Sequence, residues 1–230
     1  MQLKIIVVDG ERQYSDHVKN LAIEHWFLSV TLNPALFDGD CWSVVYMVES
    51  ETATTAHVQL TSYKYSLFSH FSSVGRSLPS NDRAICYGVR SLTISSEGYV
   101  VLGRRSSLAG TLPGVLDMVP AGVCHLPEPK EVLEIEYEEE LGINVLTSQL
   151  EYLGVLTAGM EQGNKLEFVY MYKTGFSNEA ILERFNSAKD KHEHEEIVFV
   201  KSTLGQLEPV LTEITKKALA MYFGENGIEL

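Results

Sequence analysis

Basic residues are scarce in this chain of 230 residues: 18 Lys and Arg stand against 31 Asp and Glu, a formal charge of −13. Such a surface repels polyanions, which excludes binding to duplex nucleic acid or to a membrane surface as the main role, because those partners demand basic neutralisation. Cysteine is sparse as well. Cys41, Cys86 and Cys124 are odd in number, widely spaced and free of any Cys-x-x-Cys pattern, so they support neither a disulfide framework nor a structural zinc site. Long apolar runs are missing: none approaches the roughly 18 residues that a bilayer span requires. The N-terminal run Ile5–Val8 is too short for the apolar core of a secretion signal, and Asp9 follows it at once. A soluble, cytoplasmic protein in a reducing compartment is the expectation. With seven prolines against seventeen glycines and 45% apolar residues, the composition is neither disordered nor low in complexity, and it suffices for a proper core. The length suits one domain, or one domain with a compact extension.

What is present is an alternation of strand and helix patterns. Residues 3–8 read as a buried strand, and Ser15 reads as the cap of a helix with Val18, Leu21, Ala22 and Trp26 on one face. Residues 42–48 and 54–60 look like paired strands around a polar turn, and 61–73 look helical or loop-like, with Tyr65, Phe68 and Phe71 on one side. The polar, Pro-containing stretch 77–82 is the best boundary, dividing a small α+β extension (1–81) from a second domain (82–230). After it come a hairpin, 84–94 and 99–106 around a short turn, and a Gly/Pro-rich stretch, 110–122, expected to be irregular. A helix then opens with Pro129 and closes at Gly142, following the usual Pro-in-front, Gly-behind asymmetry. Strands at 150–156 and 166–175, a helix at 178–189, a strand at 195–200 and a helix at 209–223 complete the pattern. Hairpins together with helical crossovers indicate an α/β layered fold with a mixed sheet.

The chemistry is concentrated in that central helix. Glu128, Glu131, Glu134, Glu136, Glu138, Glu139 and Glu140 put seven carboxylates into thirteen positions. Like charges at i,i+3 or i,i+4 cost about 0.2 to 0.5 kcal/mol each, so such a run stores roughly 1 to 2 kcal/mol of repulsion that something should offset. A solvated acidic face is the bland reading. Against it, Leu133, Tyr137 and Leu141 form an apolar stripe that should anchor the helix, with Glu136, Glu139 and Glu140 as a triangle beside it. Carboxylates held against a packed surface suit a hard divalent cation such as Mg²⁺.

Residues 122–143, GVCHLPEPKEVLEIEYEEELGI, resemble the Nudix box, G-x5-E-x7-R-E-U-x-E-E-x-G-U with U aliphatic: Gly122, Glu128, Glu136, Glu139, Glu140, Gly142 and Ile143 fall on its positions. The spacer after Glu128 is one residue short, Ile135 stands at the Arg position, and Tyr137 is aromatic where an aliphatic residue is usual. The order of elements over about residues 83–225 is similar to the Nudix order, which implies an α/β/α sandwich. Stretches such as LFDG, VLGRRSSLAGTLPGVLDMVPAG and KHEHEEIVFV are similar to the branch that hydrolyses UDP-glucose and UDP-galactose, which also has an N-terminal extension and a box without the Arg. The resemblance implies Mg²⁺-dependent hydrolysis, with Mn²⁺ as a substitute, of a nucleoside diphosphate-linked compound, here UDP-hexose to UMP and hexose 1-phosphate. It also implies Glu136, Glu139 and Glu140 as metal ligands, Glu139 and Glu140 as catalytic, and Glu128 as a brace. ADP-ribose or a dinucleotide as substrate, or a non-catalytic nucleotide-binding module, remain open alternatives.

Glu193, just before the last core strand, is the favoured water-activating base, and Glu161 is a further candidate. His192 and His194 at i,i+2 make a weak zinc pattern. Arg104 and Arg105, and with them Arg90, are candidate phosphate clamps. Tyr63, Tyr65 and Phe68 have the spacing of core aromatics, although a uracil ring would suit them, and Trp26 and Trp42 read as core. Expected partners are a small nucleotide substrate, neither nucleic acid nor membrane, and a second copy in a homodimer.

Overall fold

The computed structural model describes residues 1–34, 36–107, 112–158, 165–201 and 211–223. The chain first builds a small three-stranded sheet. Strand β1 (Gln2–Glu11) runs parallel to β3 (Ala53–Ser62), which is antiparallel to β2 (Asp40–Glu49), in the order β1-β3-β2. Helix α1 (Asp16–Leu32) links β1 to β2, and Ser15 caps it: the Ser15 hydroxyl accepts from the Val18 N–H at 3.3 Å, as the sequence predicts. Helices α2 (Tyr63–Phe71) and α3 (Ser73–Ser77) lead out of this unit.

The second sheet is mixed and has seven strands: β4 (Tyr87–Ile94), β5 (Val100–Arg105), β6 (Leu116–Met118), β7 (Ala121–Val123), β8 (Glu151–Thr157), β9 (Leu166–Lys173) and β10 (His194–Val200). Its order is β10-β5-β4-β9-β8, with β6 on β5 and β7 on β4; β4 and β9 are parallel, while β5 and β8 pair antiparallel to their neighbours. The Gly/Pro-rich stretch expected to be irregular therefore carries two strands. At three residues each they are too short to show a period of two. Between them, Arg90 of β4 pairs in register with Ala121 of β7, and Leu102 of β5 with Met118 of β6.

Helix α4 (Pro129–Leu141) covers one face of this sheet. The predicted stripe Leu133, Tyr137 and Leu141 is fully buried in one core cluster with Val89, Phe168 and Tyr170. On the other face, Ile214, Ala218 and Leu219 of α6 (Glu213–Phe223) pack with Leu92, Ile94 and Val169. Helix α5 (Asn178–Ser187) lies beside α4. The result is the expected α/β fold, with a mixed sheet between helices. The last helix begins at Glu213, not at residue 209; residues 202–210 lie outside the described ones.

The boundary at 77–82 divides the sequence but not the interior. Val44, Ala56 and Val58 of the first sheet belong to the same core cluster as Tyr87, Val89 and Phe168 of the second. Backbone bonds cross as well, Val44 N–H to Ile85 O at 2.9 Å and Trp42 N–H to Cys124 O at 3.2 Å. Trp26 and Trp42 are half-buried, at the margins of the core. Among the described residues no helix is long and apolar enough to cross a membrane.

Candidate active site

Local sequence makes α4 a rigid platform. Pro129 occupies its first turn, where no amide hydrogen is needed. Gly142 adopts φ 64°, which costs glycine little, and its N–H closes on Glu138 O at 3.1 Å while Ile143 N–H closes on Tyr137 O at 3.0 Å. With the stripe fixing its rotation, Glu140 is driven inward, to 2% exposure. There its Oε1 accepts from the Ala121 N–H at 3.2 Å, and its Oε2 lies 2.7 Å from Nε2 of His194, the first residue of β10. One turn earlier Glu136 lies directly over the α-carbon of Gly122, where any Cβ would strike its carboxylate. The His194 ring rests on Gly103 in the same way. Both glycines are empty space that a polar side chain fills.

Glu136 and Glu140 adjoin, and Glu193 faces both. Burial first, and then Glu140 and Glu193, push the Glu136 carboxyl well above the usual carboxylate range; burial and then Glu193 do the same to Glu140. Burial also pulls the His194 imidazole down, keeping it neutral beside Glu140. The carboxyls' donor set, oxygen only and mutually repelling, fits a hard divalent ion. Glu136 and Glu140 are the residues that could hold one. Among the described residues no group of three or more His, Cys, Asp or Glu is already drawn together at metal-binding spacing.

Glu136 and Glu193 border a cavity of about 320 Å³. Its lining includes Glu136 and Glu193, Ala121 and Gly122 of β7, and the cations Arg90, Arg105 and Lys165. The roof comes from the first unit, through Tyr63, Ser66, His70 and Phe71 of α2.

Of the sequence candidates, Glu136, Glu140, Glu193 and Arg105 are brought together. Glu139 is not in the cavity lining: it pairs with Lys189, two residues past the end of α5. Arg104 does not line the cavity, since adjacent strand residues point to opposite sides. It is bound to Glu196 at 2.6 Å and Gly114 O at 3.1 Å, and Arg105 alone of the pair lines the cavity. Arg90 reaches the cavity wall, but its charge is already matched. It lies 2.5 Å from Asp117 Oδ2 and 3.4 Å from Glu167 Oε2 and is almost wholly buried. Asp117 in turn accepts from Thr212 and Thr215 at 2.8 Å each, tying β6 to α6. Glu128 stands half-buried at the N-cap of α4. Tyr65 stacks on Tyr14 and Phe68 is core, whereas Tyr63 lines the cavity. His192 is exposed, and Glu161 lies outside the described residues.

Sequence reasoning missed His194 as the partner of Glu140, Lys165 as a cavity cation held 2.9 Å from Glu167, and the buried acids Asp117 and Glu167. A signal existed for the last two. Each is a lone acid inside an apolar strand run, VLDMV and LEFVYMY, and a charge in such a place needs a partner.

No protein-family model and no curated protein matches the chain. Solved structures similar to it include the MutT protein from Methanosarcina mazei Go1, at 20% identity and a TM-score of 0.43 over 61% of this chain and 94% of that one. A mutT/nudix family protein from Listeria innocua is similar at 19% identity and a TM-score of 0.44, over 61% of this chain and 96% of that one. A NUDIX hydrolase from Nitrosomonas europaea is similar at 15% identity and a TM-score of 0.45, over 61% and 89%.

Proposed function

We propose that this chain is a divalent-cation-dependent hydrolase of the pyrophosphate bond in nucleoside diphosphate-linked compounds, with UDP-hexoses as its substrates and UMP and hexose 1-phosphate as products. The observation that carries the reading is that Glu136 and Glu193 share the lining of one cavity with Arg105 and Lys165, with Glu140 buried beside the two acids. A pyrophosphate bridge repels anionic nucleophiles, so its cleavage needs positive charge on the phosphate oxygens and a positioned water. A divalent ion held by Glu136 and Glu140 would supply charge neutralisation and a more acidic water. Arg105 and Lys165 bind the phosphate oxygens through charge-assisted hydrogen bonds, and Glu167 keeps the lysine in place. Glu193, at the mouth, takes the proton of the attacking water. The α2 roof limits the entry of bulk water, which strengthens each of these interactions.

The resemblance of residues 122–143 to the Nudix box supports the reaction class. The shorter resemblances and the box without its Arg support UDP-hexoses over ADP-ribose or a dinucleotide. The test is a panel of UDP-glucose, UDP-galactose, ADP-ribose and dinucleoside polyphosphates with Mg²⁺, with both products identified by mass. UMP and hexose 1-phosphate are expected, together with a loss of about 10²-fold or more in kcat for Glu140→Gln at unchanged Tm. Full activity in that variant overturns the assignment. Tight nucleotide binding with no turnover at any Mg²⁺ or Mn²⁺ concentration would instead make the chain a binding module.

A further inference from the structure

Cys41 and Cys86 meet across the seam between the two units. Cys41 is the second residue of β2, Cys86 directly precedes β4, and their sulfurs stand 3.2 Å apart. The backbone sets them there. Ser43 bridges Cys86 in the antiparallel sense, and Cys41, two residues earlier, falls on the same face of β2 as Ser43. Tyr14, Val18, Phe68 and Ala84 complete the apolar cluster around the pair. Cys124 pairs through its backbone with Trp42 and Tyr87, next to both, but its side chain belongs to the other core cluster.

The two thiols differ in access. Cys41 is fully buried, whereas Cys86, 2% exposed, lines the 320 Å³ cavity beside Tyr63 and His70. A cavity of that size admits hydrogen peroxide, which is little larger than a water with its share of about 30 Å³ in the liquid. The hydrogen bond to Cys86, and then burial, push the Cys41 thiol far above its usual range, so Cys41 keeps its proton while Cys86 meets the cavity. Burial does the same to Cys124, which has no place in the cavity lining.

We infer that Cys41 and Cys86 form a peroxide-responsive pair that closes to a disulfide between the two units, with Cys86 as the sulfur that meets the oxidant and Cys41 as the one that resolves it. Cys86, having given up its proton, attacks one oxygen of the peroxide. The O–O bond breaks, that oxygen stays on sulfur as a sulfenic acid, and the hydroxide that leaves takes the proton back as water. The Cys41 sulfur then attacks the Cys86 sulfur. The S–O bond breaks, and the departing hydroxide leaves as water with the Cys41 proton. Two thiols and one peroxide thus give one disulfide and two waters. From 3.2 Å the sulfurs need to approach by only about 1 Å to bond. The loop so closed contains β3 and the whole α2 roof, which the bond fastens to the sheet carrying β4. The cavity serves here only as an entry path, whatever reaction it hosts.

The test is a thiol count on the denatured full chain after treatment with hydrogen peroxide, with a peptide map by mass. The three thiols are expected to fall to one, with a Cys41–Cys86 peptide lighter by two hydrogens, and a dithiol reductant should restore all three. The bridged protein should melt about 5 °C or more above the reduced one. In Cys41→Ser no bridge forms and Cys86 gains oxygen; in Cys86→Ser, Cys41 stays a free thiol at the same dose; in Cys124→Ser the bridge still forms. The map of the unaltered chain decides the pairing even where a serine variant folds poorly. Three thiols surviving in the treated chain, a bridge that includes Cys124, or oxidation of Cys41 in Cys86→Ser overturns the inference. An unchanged Tm in the bridged protein overturns the fastening of the roof.

Discussion

Nε2 of His194 lies 2.7 Å from Oε2 of Glu140, with both side chains almost wholly buried. The carboxyl that the proposed reaction most needs is thus aimed by a residue from a strand more than fifty positions later. His194→Ala would leave Glu140 with the Ala121 N–H and no imidazole, and would open a void over Gly103. A loss of about 2 to 3 kcal/mol in urea denaturation is expected. Turnover should fall with it, and His194→Gln should recover part of both. An unchanged urea midpoint in His194→Ala would count against the hydrogen bond.

Gly122→Ala tests the space under Glu136. The new methyl meets the far end of a flexible side chain, so the carboxylate moves and the backbone does not. Stability should change by about 1 kcal/mol or less. A displacement of this kind at a reacting centre costs about 10² in rate. The pair of measurements, Tm and kcat on UDP-glucose, separates this outcome from simple unfolding.

The two adjacent arginines should behave differently. Arg104→Ala removes a partly exposed pair with Glu196 and is expected to cost about 1 kcal/mol at most, with kinetics unchanged. Arg105→Ala removes a cavity cation and should raise KM for UDP-glucose about tenfold, the worth of one charge-assisted hydrogen bond. Equal kinetic effects would show that the strand does not sort them.

Asp117→Ala would leave the Arg90 guanidinium buried with Glu167 alone, and would strip Thr212 and Thr215 of their acceptor. Breaking a buried ion pair from one side costs about 3 to 5 kcal/mol, so this variant should be among the least stable single changes in the chain. Chemical denaturation reads the effect directly.

Metal addition gives a test without any substrate. If Glu136 and Glu140 hold a divalent ion, Mg²⁺ at tenfold excess over its Kd should raise the Tm of the metal-free protein by about 3 °C or more. The rise should vanish in Glu136→Gln with Glu140→Gln combined. A rise that persists in the double variant places the ion elsewhere.

Much of this was legible from residue order where the determinants are local. Pro129, Gly142 and the stripe Leu133, Tyr137 and Leu141 define α4 from within, and they place Glu136 and Glu140 at its inner edge. The rest depends on which distant group arrives. Glu139 looked equivalent to its neighbours because three acids at i, i+3 and i+4 span a wide arc; it pairs with Lys189, just past the end of α5. Arg90 looked like a free cation because both of its carboxylate partners sit on other strands. The split of Arg104 from Arg105 was readable, since a period of two forbids neighbours on one strand from sharing a groove. The roof was only half readable: the aromatic spacing of Tyr63, Tyr65 and Phe68 suits core or ligand alike, and of the three Tyr63 alone lines the cavity.

The interior in which Val44, Ala56 and Val58 interleave with Tyr87 and Val89 has a consequence for how this molecule can change. Severing the chain near residue 82 would strip apolar surface bare on both fragments, so neither half is a detachable module that recombination could trade for another. New ligand preferences must therefore be reached by replacing single side chains around the opening, with the joint between the halves left untouched.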